Sequence, residues 1–267
     1  MKRKTLLSLV SAITLSALLT VAGEVAAQTG GSNQTPAIYD NFNGQWIDPS
    51  RWLTGAPSCW GLSLECVREI QNGQLRLLVR NLGSNGGNSG TQWSQSDLYF
   101  TAANNITSIT ADVTVRQAKG TDCALNPEKN GAQVRIGGTF FNSGSGDPGD
   151  DLQAYVIAVH GDDVLSYGVW WGWQTQSQWV PITYSIATGT PVTTTLRWDR
   201  ANHQFIATLK TPDGLYFQQT SGYSIPDVKL AANPLKGLGA ATISPNCTGQ
   251  NTSSYVEASF DNVIVTR

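Results

Sequence analysis

Charge is what this chain has least of. Asp, Glu, Lys and Arg together make up 13% of its 267 residues, about half the usual ~25%. The 17 basic residues face 19 acidic ones and gather into no stripe beyond the first few positions. That excludes the electrostatic footprint of a nucleic-acid binder. Histidine is nearly absent: His160 and His203 are the only two, too few for a histidine-rich metal centre. No Gly-x-Ser-x-Gly elbow appears, so a serine hydrolase of that kind has no nucleophile. No window carries a helical hydrophobic period. Past the first residues, no apolar run is long enough to cross a bilayer as a helix. Asn, Gln, Ser, Thr and Gly supply the polarity instead, and these are residues of strands and their turns.

The first residues have their own logic. Lys2-Arg3-Lys4 forms a positive head, residues 6–21 an apolar stretch, and Val25-Ala26-Ala27 a small-residue cleavage signal. This pattern predicts a secretory peptide over residues 1–27, removed on export to a secreted or periplasmic, most simply bacterial, location. Removing Lys2, Arg3, Lys4 and Glu24 from 17 basic and 19 acidic residues leaves 14 and 18, a net charge of −4. Residues 28–36 (QTGGSNQTP) lack apolar side chains and read as a flexible leader. From residue 37 to residue 267 no linker or repeat interrupts the chain, which predicts one large β domain.

Four cysteines in an exported chain imply disulfides, and four allow three pairings. Cys59 and Cys66 bracket a compact loop, while Cys123 and Cys247 lie in turn-rich segments. Sequence alone does not choose among the three; the pairing it favours is Cys59–Cys66 with Cys123–Cys247.

Strand signals fill the rest. Ile109, Ala111, Val113 and Val115 alternate with Thr110, Asp112, Thr114 and Arg116, the period of a half-buried strand. Residues 67–70 and 75–79 flank Asn72-Gly73, a strong hairpin signal. Further strands are expected over residues 132–141, 152–160, 164–171, 179–186, 192–198, 203–209, 215–219 and 238–243. The ends are the most telling. Val256, Ala258 and Phe260 alternate with Glu257, Ser259 and Asp261, and an almost wholly apolar run then reaches residue 265. A core strand at that position needs a partner made early in the chain, and residues 37–42 supply it. About a dozen strands with short turns predict an all-β fold, a two-sheet antiparallel sandwich with first and last strands adjacent.

Tyr39-Asp40-Asn41-Phe42, Trp46, Asp48-Pro49-Ser50-Arg51-Trp52 and the closing Phe260-Asp261-Asn262-Val263-Ile264-Val265 resemble the concanavalin A-like lectin/glucanase superfamily, including its laminin-G-like and laminarinase-like jelly rolls. The resemblance implies a jelly roll over residues 37–267. It also implies one structural calcium ion near the meeting of the end strands, with Asp40 and Asp261 as ligands. Asp261 equally suits a hydrogen-bonding role at a strand bend. No other cofactor is implied.

On activity the resemblance divides. The glucanases carry a Glu-x-Asp-x-x-Glu strand; none of Glu65, Glu69, Glu128 and Glu257 begins one. The alginate lyases carry three strand motifs, echoed here by Val67-Arg68-Glu69-Ile70, Gln133-Val134-Arg135 and residues 216–223. That implies a β-elimination site of Arg68, Gln133, Arg135 and Tyr223. However, Arg135 stands at the lyase histidine position, and a guanidinium is no general base.

The remaining concentration is aromatic: Trp170, Trp171 and Trp173, with Tyr167 and Trp179 near. Flat rings stack on sugar faces, although a sandwich core also consumes tryptophan. With Val169 and Trp171 inward, Trp170 points out. The expectation is a secreted, non-catalytic lectin-like domain binding carbohydrate or an extracellular surface through Trp170, Trp171, Trp173, Gln133, Arg135 and Tyr155. The alternatives are the lyase and a purely structural envelope or matrix protein.

Overall fold

The computed structural model describes residues 37–53, 59–61, 65–81, 84–85, 92–120, 131–160, 164–244, 246–247 and 250–267. The predicted leader and Cys123, and with it the expected Cys123–Cys247 pair, lie outside them. Cys59 and Cys66 are joined as expected.

Among the described residues the strands are β1 (Ile38–Asp40), β2 (Cys59–Gly61), β3 (Glu65–Gln71), β4 (Gln74–Asn81), β5 (Ser84–Asn85), β6 (Gln92–Tyr99), β7 (Ser108–Lys119), β8 (Ala132–Asn142), β9 (Asp151–His160) and β10 (Val164–Trp173). They continue with β11 (Gln176–Ala187), β12 (Pro191–Asp199), β13 (Gln204–Lys210), β14 (Tyr216–Gly222), β15 (Lys229–Leu230), β16 (Lys236–Ser244), β17 (Asn246–Cys247), β18 (Gln250–Asn251) and β19 (Ser254–Thr266). Three short 3-10 turns are the helical structure present among these residues.

The strands form two large antiparallel sheets and a small third one, β17-β18-β5. The first runs β14-β13-β12-β7-β19-β4-β3, with β1 also pairing β19; the second runs β11-β10-β9-β8-β16-β6-β2, with β15 on β8. The end strands meet, with Ile38 opposite Ile264 and Asp40 opposite Val263. The closing strand is not an edge: it lies between β7 and β4 in mid-sheet. This is the sandwich that the alternation and the two ends predict, in the jelly-roll form that the resemblance implies.

Alternation sets the faces. Ile109, Ala111, Val113 and Val115 of β7 and Leu75, Leu77 and Val79 of β4 are buried against Val134, Ile136, Val156, Val169 and Leu238 of the second sheet. Apolar area removed from water in this way, at about 25 cal/mol per Å², is the main force closing the sandwich. Aromatic clusters anchor it: Trp52 stacks on Phe42 and Phe100, and Phe141 stacks on Trp198. The hairpin between β3 and β4 turns on Asn72 and Gly73, both at positive φ (55° and 72°). That is the geometry a two-residue turn needs and Asn-Gly accepts.

Besides short pairings of two or three residues, one longer strand departs from expectation. β6 was not apparent, because its sequence QWSQSDLY alternates the wrong way for a core strand. Ser94 and Ser96 face inward and are fully buried, while Trp93 is 41% exposed.

Candidate functional site

The outward face of the second sheet holds the site, and strand register assembles it. Arg135 on β8 lies opposite Gly239 on β16, which lies opposite Asp97 on β6. On the other side, Gly137 is opposite Tyr155 on β9, Tyr155 opposite Trp170 on β10, and Trp170 opposite Trp179 on β11. Two rows offset by two residues on β8 thus together cross six strands. Around them run two adjoining hollows that share Arg135, Gln153 and Tyr155. One, of about 650 Å³, is lined by Trp93, Gln133, Ile157, Ser166, Trp170 and Trp179. The other, of about 490 Å³, is lined by Gln95, Tyr99, Thr139, Asp151, Asn233 and Leu235.

The aromatic rings lie along the sheet rather than standing on it. A Cβ added to Gly172 would stand 2.4 Å from the Trp170 ring, and one added to Gly168 would stand 2.5 Å from the Trp179 ring. Each ring thus occupies the space of a missing side chain. Tyr155 continues the surface, its ring centroid 5.9 Å from that of Trp170 and inclined by 28°. Flat aromatic faces beside side-chain amides form the mix of apolar floor and few polar groups found in ligand grooves.

The polar end is organised by charge. Arg135 Nη2 donates to Gln95 Oε1 at 2.7 Å and lies 3.2 Å from both carboxylate oxygens of Asp97. Tyr99 donates its hydroxyl proton to Asp97 Oδ2 at 2.8 Å. Burial pushes the Tyr99 hydroxyl far above its ordinary range, and the Asp97 charge adds to the effect. Burial also raises Tyr155. Neither phenol is poised to lose a proton near neutral pH. Asp151 serves the loop above: its oxygens accept from Ala232 N, Asn233 N and Asn142 Nδ2.

Of the residues expected to bind carbohydrate, Gln133, Arg135, Tyr155 and Trp170 line the same hollow. Trp171 and Trp173 do not. Two positions of the alternation put Trp171 in the core, where its Nε1 donates to Gln178 and to the Gly222 carbonyl. Trp173 packs partly against that core and donates to the Asp150 carbonyl.

The lyase constellation is not assembled either. Tyr223 is buried against Phe141 and Phe205 and is bonded to Trp198 and Asp227. Arg68 is paired with the inward-facing Leu77 and donates to the Asp97 carbonyl between the sheets. Sequence reasoning missed Trp93, Gln95, Asp97 and Tyr99, all on the unexpected strand β6. It also missed Gln153 and left Trp179 without a role. The alternation of β9 and β11 carried the signal for those two.

Asp40 accepts from Phe42 N at 2.8 Å and from Trp52 Nε1 at 2.7 Å. Asp261 accepts from Asn262 N at 2.7 Å and lies opposite Asp112. Burial raises its carboxyl, and the charges of Asp112 and Asp40 add to the rise. Among the described residues no group of three or more metal-ligating side chains gathers there or elsewhere.

No family model matches the chain, and no curated protein matches it in sequence. Among solved structures it is similar to a Mycobacterium abscessus protein assigned as a β-glucanase, with a TM-score of 0.48 at 14% identity over 87% of this chain and 99% of that one. It is also similar to the alginate lyase from Klebsiella pneumoniae, with a TM-score of 0.39 at 11% identity over 83% and 86%. A legume lectin-like domain from Entamoeba histolytica gives 0.38 at 11% over 76% and 89%. These are distant likenesses of strand arrangement and carry no chemistry to this chain.

Proposed function

We propose that the groove on the outward face of the second sheet binds carbohydrate, and that the protein acts as an exported glycan-binding domain without catalysis of its own. The observation that carries this reading is the continuous aromatic floor of Tyr155, Trp170 and Trp179, laid flat over two glycines. Sugar rings present apolar C–H faces that stack on such surfaces, and their hydroxyls suit the amides of Gln133 and Gln153 at its margins. Standing rings would pack against the sheet's own side chains; flat ones offer area to a ligand.

The groups that line the groove support the reading without catalysis. Among the described residues its ionisable members are a guanidinium held by a carboxylate, a second carboxylate spent on backbone amides, and two phenols raised by burial. A β-elimination needs a base able to take a proton at working pH, and Tyr223 lies in the core.

A glycan array followed by calorimetry tests the reading. Binding to at least one oligosaccharide class is expected, together with quenching or enhancement of tryptophan fluorescence. Trp170→Ala and Trp179→Ala should each weaken binding by about tenfold, equivalent to about 1.4 kcal/mol, and leave melting temperature nearly unchanged because both rings are partly exposed. Full binding in the double variant would place the ligand elsewhere.

A further inference from the structure

Arg135 is the cation that lines the groove among the described residues, and a guanidinium in a sugar cleft invites the reading that it meets a carboxylate on the ligand. Its surroundings assign it another task. It is 13% exposed at its side chain, and Asp97 beside it is 4% exposed. The pair has room only because β16 carries no side chain between them. A Cβ at Gly239 would stand 2.1 Å from Asp97 Oδ1 and 3.0 Å from Arg135 Nε. Tyr99 fixes one Asp97 oxygen and Arg68 fixes its carbonyl. Burial by itself would lower the guanidinium, but the Asp97 charge and hydrogen bond together with Tyr155 and Tyr99 outweigh it and hold Arg135 above its ordinary value.

The other face of the guanidinium is equally committed. Its central carbon lies 5.1 Å from the centroid of the Tyr155 ring, within cation–π range. Tyr155 in turn stacks on Trp170. The chain of contact therefore runs from Asp97 and Gln95 through Arg135 to the aromatic floor. Charge in the groove closes on itself: Arg135 is matched by Asp97, and Asp151 adds a further carboxylate near the polar end. Asp97 lies 3.2 Å from Arg135 Nη2, so a ligand carboxylate would share one guanidinium with it and set a second negative charge beside a buried one.

We infer that the groove is built for an uncharged glycan, and that Arg135 is a positioning residue that holds the Tyr155–Trp170 floor rather than a reader of ligand carboxylates. The inference rests on the carbohydrate-binding reading above. A neutral ligand meets the floor through stacking and the amides through its hydroxyls, and neither contact asks the Arg135–Asp97 pair to open.

Calorimetry with cellohexaose and xylohexaose against hexamannuronate and hexaguluronate tests it, at low and at physiological salt. The neutral hexamers should bind at least about tenfold tighter, with little change between the two salt levels, because no exposed charge pair forms. Arg135→Gln should weaken neutral binding about fivefold and alter the near-ultraviolet circular dichroism of the Tyr155–Trp170 pair, a signal that a carboxylate reader would leave alone. Arg135→Lys keeps the charge without the planar fork and should lose neutral affinity in the same way. Should neither variant fold, the selectivity and salt dependence of the unaltered protein decide. Preference for the uronates with a steep salt dependence would overturn the inference while leaving carbohydrate binding intact, as would unchanged neutral binding in Arg135→Gln. Failure of every hexamer to bind removes the inference, and failure across the glycan array as well removes the carbohydrate-binding reading.

Discussion

Lys236 opens strand β16 and is fully buried. Its Nζ donates to the carbonyls of Ala103 at 2.9 Å and Ile106 at 2.8 Å, and lies 4.4 Å from the centroid of Phe140. Two carbonyls and one ring face account for the three protons of an ammonium, and none of the described carboxylates pairs with it. Burial pushes its pKa down to about 7, from an ordinary 10.5.

The sign follows from proton counting. Between the folded and unfolded values the unfolded chain carries one proton more, so stability is complete above about pH 10.5 and is lost as pH falls toward about 7. Each pH unit in that window is worth up to about 1.4 kcal/mol. The neutral amine keeps two N–H donors for the two carbonyls, so deprotonation gives up the ring contact and the charge-assisted part of two bonds. Set against the full window, this leaves an expected gain of roughly 1–3 kcal/mol on going from neutrality to about pH 9.5.

Urea unfolding followed by tryptophan fluorescence measures that gain, and Lys236→Met supplies the control because methionine cannot titrate. The comparison stops near pH 9.5 for a reason. Tyr99, Tyr167 and Tyr223 are all raised by burial; each contributes stability that is lost once pH rises past the unfolded value near 10. Parallel pH profiles for the two proteins, or a wild-type stability that falls over this window, would refute the account of Lys236.

Gly239→Ala is expected to cost about 1–3 kcal/mol through overpacking against Asp97 and Arg135, lowering the melting temperature and weakening glycan binding together. Gly222→Ala, whose nearest neighbour would lie at 3.8 Å, is the control and should do neither; equal losses in the two would remove the steric argument. Asp40→Asn leaves one acceptor for two donors, Phe42 N and Trp52 Nε1. Urea unfolding should show a loss of about 1–3 kcal/mol, and a change within error would mean that these bonds contribute nothing net. Replacing Cys59 and Cys66 by serine opens a closure between residues seven apart in sequence, and chain entropy puts the cost at about 2 kcal/mol. Unchanged stability would show that the denatured state is not loosened.

The strands that bury one face were legible because their chemistry alternates with the pleat. Ile109 to Val115 in β7 and Val256 to Phe260 in β19 write apolar residues on one side and polar ones on the other, and the structure pairs the two strands side by side. The pairing of β1 with β19 was legible for the same reason: a strand with an apolar face needs a partner that takes it out of water. Strand β6 reverses the code. Its inner positions hold Ser94 and Ser96, which bond to Asn81 and to the Val67 carbonyl, while Trp93 and Tyr99 face the groove. A strand whose outer face lines a groove reads as polar loop to any rule that looks for a buried stripe.

The tryptophan run shows where local reading stops. Parity put Trp171 inward and Trp170 outward. Carried two residues further it also puts Trp173 with Trp171, because β10 runs unbulged against β9 from Leu165 to Gly172. Parity cannot say what lies across the sheet. Asp97, Arg135 and Gly239 are far apart in the chain, and only the order β6-β16-β8 makes Gly239 the gap through which the other two meet. In the sequence that glycine is one of 27, and nothing local marks it. Tyr223 failed for the converse reason. It was placed by likeness to a motif, but it lies one residue beyond the end of β14, where the chain turns its ring into the core beside Phe205. A motif transfers only with the register that aims it, and register here is set by pairing partners that the motif does not contain.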